Sequence, residues 1–467
     1  MTSSPRLALL VAITLVVTVV AAAPACRSTT AADGRPTVPA VDASPAAFID
    51  VTVVPMVGDK AVPGQTVVVR DGRIAAVGPS GRVDVPADAR RISGAGKYLM
   101  PGLVDAHFHL QSNGDDARLL RLLLANGVTS ILNLYGTPSI LDLRDRVATG
   151  EVAGPTIYAS GPYISDAPRW QPDADEVERL ILEQKRAGYD LIKTHGDFSR
   201  EAFQRLCAVA RREHMKIIGH APRNLGVEPM FEDHMDAVAH GEEFIYAYFF
   251  FGAPDLSQAD ADVRRRFFEQ AEKRIPDLAA AAAKSGIWVV PNLVAYTRIV
   301  EQGKDLASVL ARPETKYVPA ALLADWQPGR NRYDRKYSPE MAEHMEWRVK
   351  LLTALTGAFH HAGVRMMAGT DAPIPGVVPG FSQHDELTLL VAAGLSPFEA
   401  LRAATVNAAT FLGKANEFGT VEVGKRADLV LLDDDPLQDV ANTSRYAGVM
   451  VRGRWLDGDA LRRARTD

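Results

Sequence analysis

The chain moves between two hydrophobic rhythms. From Phe48 to Met100, β-branched runs follow one another as FIDVTVVPM, QTVVVRDGRIAAVG and ARRISGAGKYLM, broken at Asp71-Gly72, Gly78-Pro79 and Gly94. Such runs predict β-strands, because branched side chains fit a pleated surface and Gly or Pro ends it. Asp-Gly between two apolar strands predicts a tight hairpin, whose central residues need positive φ. From Pro101 to about Leu412, short apolar runs alternate with longer amphipathic segments such as DEVERLILEQKRAG and SREAFQRLCAVARREH. That alternation is the signature of βα units. Eight strands are predicted, at 103–107, 128–134, 155–160, 190–194, 215–220, 236–240, 286–293 and 364–370. The expected fold class is α/β, a (β/α)8 TIM barrel. From Gly419 onward strands return as GTVEVGKRADLVLLDDDP and GVMVRGRWL. They are expected to pair with the N-terminal strands in one small β-domain, into which the barrel is inserted.

Two long insertions interrupt the βα rhythm, roughly at 247–275 and 298–345. Loops of that length on a barrel serve as lids or helical caps, or as surface elaborations and oligomer contacts. The run FIYAYFFF, Phe244 to Phe251, fits either an apolar pocket wall or helix packing.

Composition narrows the class. A chain of 467 residues suits a barrel plus an accessory domain, and 47% hydrophobic residues suffice for a large core. A net charge of −5 and a pI near 6.2 argue against a nucleic-acid partner, which would need a basic face. Two cysteines, Cys26 and Cys207, make no disulfide framework. Arg6, the uncharged apolar stretch Leu7 to Ala23 and the small residues Ala23-Pro24-Ala25 together read as an export signal. Cys26 follows directly, as in a bacterial lipoprotein signal, where that cysteine carries the lipid. Lipid anchoring, plain secretion and a retained membrane anchor all fit this stretch, which is near the lower length limit for a spanning helix. Export predicts a periplasmic or cell-surface location. The expected organisation is a signal peptide at 1–26, a disordered tether rich in Thr, Ala and Pro at 27–47, β-domain segments at 48–100 and 413–467, and the barrel at 101–412. Monomer and oligomer both fit this composition.

Candidate chemistry lies at the strand ends, which in a parallel barrel meet on one face. His107 and His109 close the first strand in PGLVDAHFHL, and residues two apart on a strand face one way, so both imidazoles can share a metal. His220 in KIIGHAP and His240 in DAVAHGEE each end an apolar strand. A lone histidine there is commonly a packed core residue, but two on successive strands after a His-x-His favour metal ligation. Lys193 in YDLIKTHGD is an amine costly to desolvate, and a salt bridge to a carboxylate such as Asp371 would account for it. Asp371 in RMMAGTDAP can bind metal and move a proton, or cap the next helix. His195 can face the pocket as a substrate contact or stay in a solvated loop. Arg223 can hold a substrate carboxylate or lie on the surface.

These residues, in this order, resemble the amidohydrolase superfamily, and more narrowly its binuclear branch with a carboxylated lysine. The resemblance runs from Phe48 to Trp455, and GTVEVGKRADLVLLDDDP resembles the segment closing the family's β-sandwich domain. It implies two divalent metal ions, zinc by default. His107, His109 and Asp371 would hold one ion, and His220 and His240 the other. A CO2-derived carbamate on Lys193 and a hydroxide would bridge them. It further implies that the metal-bridging hydroxide attacks a carbonyl while catalytic Asp371 shuttles the proton to the leaving group. Among relatives, the chain is similar to Xaa-Pro dipeptidases and imidazolonepropionase-like amidohydrolases. It departs from those peptidases at Gly219-His220-Ala221-Pro222-Arg223, where they often carry His-Ala-His-Gly, and at Thr194-His195-Gly196. The expected function is therefore cleavage of an amide-type C–N bond in a small molecule, such as an N-acyl amino acid or dipeptide. A lactonase, esterase or phosphotriesterase-like activity on the same bimetal site is the alternative. A non-catalytic, surface-anchored binding protein is a reading from another class, against which convergent polar groups without function would cost stability.

Overall fold

A computed structural model describes residues 45–110, 115–253, 259–334 and 339–466. The export signal, Cys26 and most of the proposed tether lie outside the described residues. Among the described residues, no helix is long and apolar enough to cross a membrane.

The N-terminal strands are β1 (Ala46–Val53), β2 (Val62–Arg70), β3 (Arg73–Pro79), β4 (Arg90–Ser93) and β5 (Tyr98–Pro101). β2 and β3 form the hairpin expected at Asp-Gly, with Asp71 at φ 51° and Gly72 at φ 74°. Both central residues thus take the left-handed geometry that matches strand twist in a two-residue turn.

Eight short strands follow: β6 (Leu103–Phe108), β7 (Val128–Asn133), β8 (Thr156–Ala159), β9 (Leu191–Thr194), β10 (Lys216–Gly219), β11 (Ala237–Ala239), β12 (Trp288–Val290) and β13 (Arg365–Met366). Each falls inside or within a residue of a predicted strand. β6 to β8 form one parallel sheet and β9 to β13 another. Parallel bridges join the two at both edges, Ser160 to Leu191 and Phe108 to Ala372. The helices between them start as their sequences dictate. Asp173 accepts the backbone N–H of Glu176 to open Ala174–Ala187, and Ser199 accepts that of Ala202 to open Arg200–Arg212.

Strand alternation divides the apolar residues between two cores. Ile217, Val238 and Val289 join the large cluster shared with the helices, whereas Ile218, Ala237, Ala239 and Val290 join an inner one with Val104 and Leu132. This mixed α/β arrangement of parallel sheets fits a TIM barrel.

The C-terminal strands β14 (Leu429–Leu432), β15 (Tyr446–Val451) and β16 (Arg454–Asp457) return to the first sheet, in the order β16-β15-β14-β5-β1-β2-β3 with β4 beside β1. β14 pairs antiparallel with β5, setting Leu431 opposite Leu99. Phe48, Val67, Leu99, Leu431 and Met450 make a separate apolar cluster there. Trp455 meets the Phe48 ring edge-on at 5.3 Å. Each such side chain contributes roughly 1.5–3 kcal/mol on burial, so the strands before and after the barrel segment are joined by packing as well as by backbone hydrogen bonds.

Candidate metal centre and its cavity

All six predicted ligand residues sit where a strand meets its following loop. His107 lies in β6, with His109 just beyond its end. Lys193 lies in β9, His220 and His240 directly follow β10 and β11, and Asp371 lies in the loop after β13. His107 Nε2 is 3.1 Å from His109 Nε2, 3.3 Å from Lys193 Nζ and 3.4 Å from Asp371 Oδ1. His109 Nε2 lies 3.1 Å from the same Asp371 oxygen. One ligand atom each from His107, His240 and Asp371 fall within 4.8 Å of one another. The His220 ring stands 5.0 Å from that of His240 and 4.6 Å from that of His195.

The backbone is bent to aim these groups. His240, Asn292 and Asp371 take φ values of 71°, 55° and 62°, left-handed geometry that non-glycine residues rarely adopt. Each costs about 1–3 kcal/mol and persists where neighbours over-determine it. Asp371 donates its N–H to His107 O at 2.7 Å, and His240 donates its own to Val290 O at 3.0 Å. Asn292 Oδ1 receives both the His240 N–H at 3.1 Å and His107 Nδ1 at 3.0 Å. Two donors on one atom mark it as the amide oxygen. His107 Nδ1 therefore carries the proton, and Nε2 presents its lone pair to the cluster.

A buried carboxylate, Asp105, ties the two walls together. It accepts the His107 N–H at 3.1 Å, the Thr370 N–H at 3.0 Å and the Thr370 hydroxyl at 2.6 Å. Burial pushes its pKa up to about 7, against the pull of those hydrogen bonds.

The electrostatics favour metal-ligand forms. Burial lowers the pKa of His107 and His220 well below the usual range and that of His240 to about 3, so the imidazoles are neutral. Burial opposes ionisation of Asp371, but His107, His240 and His109 hold its carboxyl well below the usual carboxylate range. Lys193 is fully buried, and desolvation lowers its pKa to about 8 despite the fields of Asp371 and Glu243. No salt bridge pairs it with a carboxylate among the described residues, so the Asp371 pairing that would explain an inert lysine is not formed.

Tested as a cation site, the cluster fits. His240 Nδ1 is buried with no hydrogen-bond partner among the described residues. Imidazole nitrogens, a carboxylate oxygen and an amine with no carboxylate partner among the described residues converge at distances that a divalent cation would order.

The sequence matches the profile described as Amidohydrolase family over residues 98–456. The chain belongs to the amidohydrolase family. It is 27% identical over 390 residues to the imidazolonepropionase of Symbiobacterium thermophilum, covering 79% of this chain and 84% of that one. It is 25% identical over 403 residues to the ochratoxinase of Aspergillus niger, with 73% and 71% covered. Among solved structures it is similar to a bottromycin amidohydrolase, with a TM-score of 0.72 and 26% identity over 90% of this chain and 88% of that one. This amidohydrolase is thus a hydrolase acting on C–N amide bonds.

In this amidohydrolase the cluster opens into a cavity of about 630 Å³. His195 lines it, with Nδ1 3.0 Å from Asp166 Oδ1 and its ring stacked on Tyr163 at 4.2 Å. Arg223 lines it too, clamped by buried Glu243 through contacts of 2.8 and 2.5 Å and laid over Tyr246 at 3.8 Å. Glu243 also comes within 3.4 Å of His220 Nδ1. Of the aromatic run, Tyr246 lines the cavity, while Phe244 and Phe249 are buried and Phe250 packs on Phe267 and Phe268. Both expectations for that run hold in part.

Sequence reading passed over Asp105, Glu243, Asn292 and Glu386. Glu386 is buried and accepts the N–H groups of Leu293 and Val294 at 3.2 and 2.7 Å, fixing the turn that carries Asn292. The available signals were acids next to ligands, in VDAH and HGEE, and an acid inside an apolar helix, in DELTLL.

Proposed function

We propose that this amidohydrolase is a binuclear metal-dependent enzyme that cleaves the amide C–N bond of a small molecule, an N-acyl amino acid or dipeptide. The observation that carries the reading is the meeting of His107, His109, Lys193, His240 and Asp371 beside His220 at the mouth of one cavity. His107, His109 and Asp371 would hold one cation, and His220 and His240 the other. Lys193 would stand between them as a carbamate, formed when its neutral amine adds CO2 and releases one proton. Bound divalent ions, zinc by default, supply Lewis acidity toward a carbonyl and acidify water from about 15.7 toward 7.

The chain's own residues do the rest. Asp371 Oδ1 accepts the proton of the attacking water and returns it to the departing nitrogen. Its depressed pKa keeps it ionised for the first half of that transfer. Asn292 and Asp105 hold the two ligand-bearing turns in register. Tyr163 and His195 present a flat wall beside the reacting bond.

The fold that fits this chemistry is a closed (β/α)8 barrel spanning 101–412, seated in a β-sandwich domain made from 48–100 and 413–467. The edge bridges and the separate terminal core support it. Residues 1–26 as an export signal, with Cys26 as a lipid site and 27–47 as a tether, would place the enzyme in the periplasm or at the cell surface.

Metal analysis of the purified chain should find two divalent ions per chain, lost together with activity on chelation, and a carbamate carbon signal after growth with labelled bicarbonate. Screening N-acyl amino acids, dipeptides, lactones, aryl esters and phosphotriesters then decides the bond. Turnover of esters with no amide cleaved overturns the reading in favour of a lactonase or esterase. Binding without turnover of any kind favours a non-catalytic protein.

A further inference from the structure

The long segment between β12 and β13 brings a second kind of group to the cavity. It forms a helix at Leu293–Leu310 and another at Ala320–Asp325, then runs on through Asp334. Trp326, Arg330, Arg332 and Tyr333, which follow the second of these helices, line the same cavity as the histidine cluster.

Three arginines line that cavity, and they differ in one respect. Arg223 is neutralised by both oxygens of Glu243. Arg330 lies 2.7 Å from Asp325. Arg332 makes no ion pair among the described residues. Its guanidinium donates to Tyr333 Oη at 2.7 Å and lies 4.8 Å from the centre of that ring. It is exposed to the cavity and within the electrostatic reach of Asp371 and Tyr163. Asp371 and Tyr163 favour its charged form, yet no carboxylate among the described residues lies within ion-pair distance, so an incoming anion can meet it directly. Its planar fork matches a carboxylate through two parallel N–H···O bonds. Beside it, Tyr135 and Tyr163 stand 4.7 Å apart, and Tyr163 lies parallel to His195 within 4°. That is an aromatic wall next to a guanidinium with no ion pair among the described residues.

We propose that Arg332 is the specificity-determining residue that binds the carboxylate of an N-acyl amino acid whose side chain is aromatic or apolar. The assignment deepens the hydrolase reading above and rests on it. Arg223, clamped by Glu243, holds the His220 loop instead. The carboxylate takes the two terminal nitrogens of Arg332, the side chain packs on the Tyr135–Tyr163–His195 wall, and the amide carbonyl points to the histidine cluster.

The test compares two amides that share an acyl group and an aromatic ring and differ in the carboxylate, N-acetyl-L-phenylalanine and N-acetylphenethylamine. In the full chain with its metals, the wild type should prefer the carboxylate. Arg332→Met should lower kcat/KM for N-acetyl-L-phenylalanine by about 10- to 100-fold, the range for a lost hydrogen bond to a charged group. It should leave the neutral amide within about 3-fold, and Arg332→Lys should fall between. Equal loss on both amides, or an unchanged preference, overturns the assignment. A binding measurement covers the case in which neither amide is cleaved. Affinity for 3-phenylpropanoate should fall about 10-fold or more in Arg332→Met at matched metal content and unchanged melting temperature, with 3-phenylpropanol unaffected. Absence of all amide turnover with this selective loss intact would defeat the hydrolase reading and leave the anion site standing. Undiminished 3-phenylpropanoate binding would defeat the anion site itself.

Discussion

The two sides of the cavity are built on opposite terms. The histidine side hangs on strand ends and is fixed several times over. His107 is held by Asp105 and Asn292, Asp371 by His107 O, and His240 by Val290 O and Asn292. The other side comes from the β12–β13 insertion, where Arg332 is exposed and tied to its neighbour Tyr333. One side carries left-handed backbone at His240, Asn292 and Asp371 to aim its candidate ligands, and the other leaves a guanidinium without an ion pair among the described residues. A cavity divided this way can keep its reaction while changing what it admits, as loops on a rigid scaffold do.

The contrast can be broken or sharpened by substitution. Asp371→Asn removes the proposed proton carrier and a candidate ligand, and should lower kcat by about 10²–10⁴-fold on every substrate without changing substrate preference. A change in preference measured on the two acetyl amides would place specificity on the histidine side as well. Asn292→Ala leaves His107 Nδ1 and the His240 N–H without their shared acceptor, and should weaken metal affinity by about 10–100-fold. Competition with a chelator reads this directly, and unaltered retention would show that the turn needs no clamp.

The smallest effect concerns Glu386, which holds the turn beneath Asn292. Burial raises its pKa from 4.5 to about 8, against the pull of the Val294 and Leu293 N–H groups. The folded chain therefore holds this proton to higher pH than the unfolded chain does. Its contribution to stability is full below the unfolded value of about 4.5 and is lost as pH rises through about 8. Glu386→Gln should flatten that decline, so the variant's melting temperature should gain about 1–3 °C on the wild type between pH 5 and pH 9. Parallel melting profiles would mean that the carboxyl is already ionised in the fold.

The candidate ligand residues could be placed together from the sequence because each closes an apolar run, and strand ends in a parallel sheet point one way. Their partners were not. Asn292 is separated from His107 by 185 residues and Thr370 from Asp105 by 265, with no local pattern linking either pair. Arg332 reads in sequence as one cation among many near GRNRYDRK. Its meaning comes from Asp325 and Glu243 having claimed the other two guanidiniums.

The sequence alone determined where the parallel strands lie, the Asp71-Gly72 turn and which histidine, lysine and aspartate side chains stand at the strand ends, because these depend on period, turn sterics and side-chain type within a few residues. The tertiary structure decided which imidazole nitrogen faces the centre and, among the described residues, that Lys193 lies buried without a carboxylate partner and that Arg332 has no ion pair. Those depend on distances between strands and loops far apart in the chain, where burial and pairing set charge.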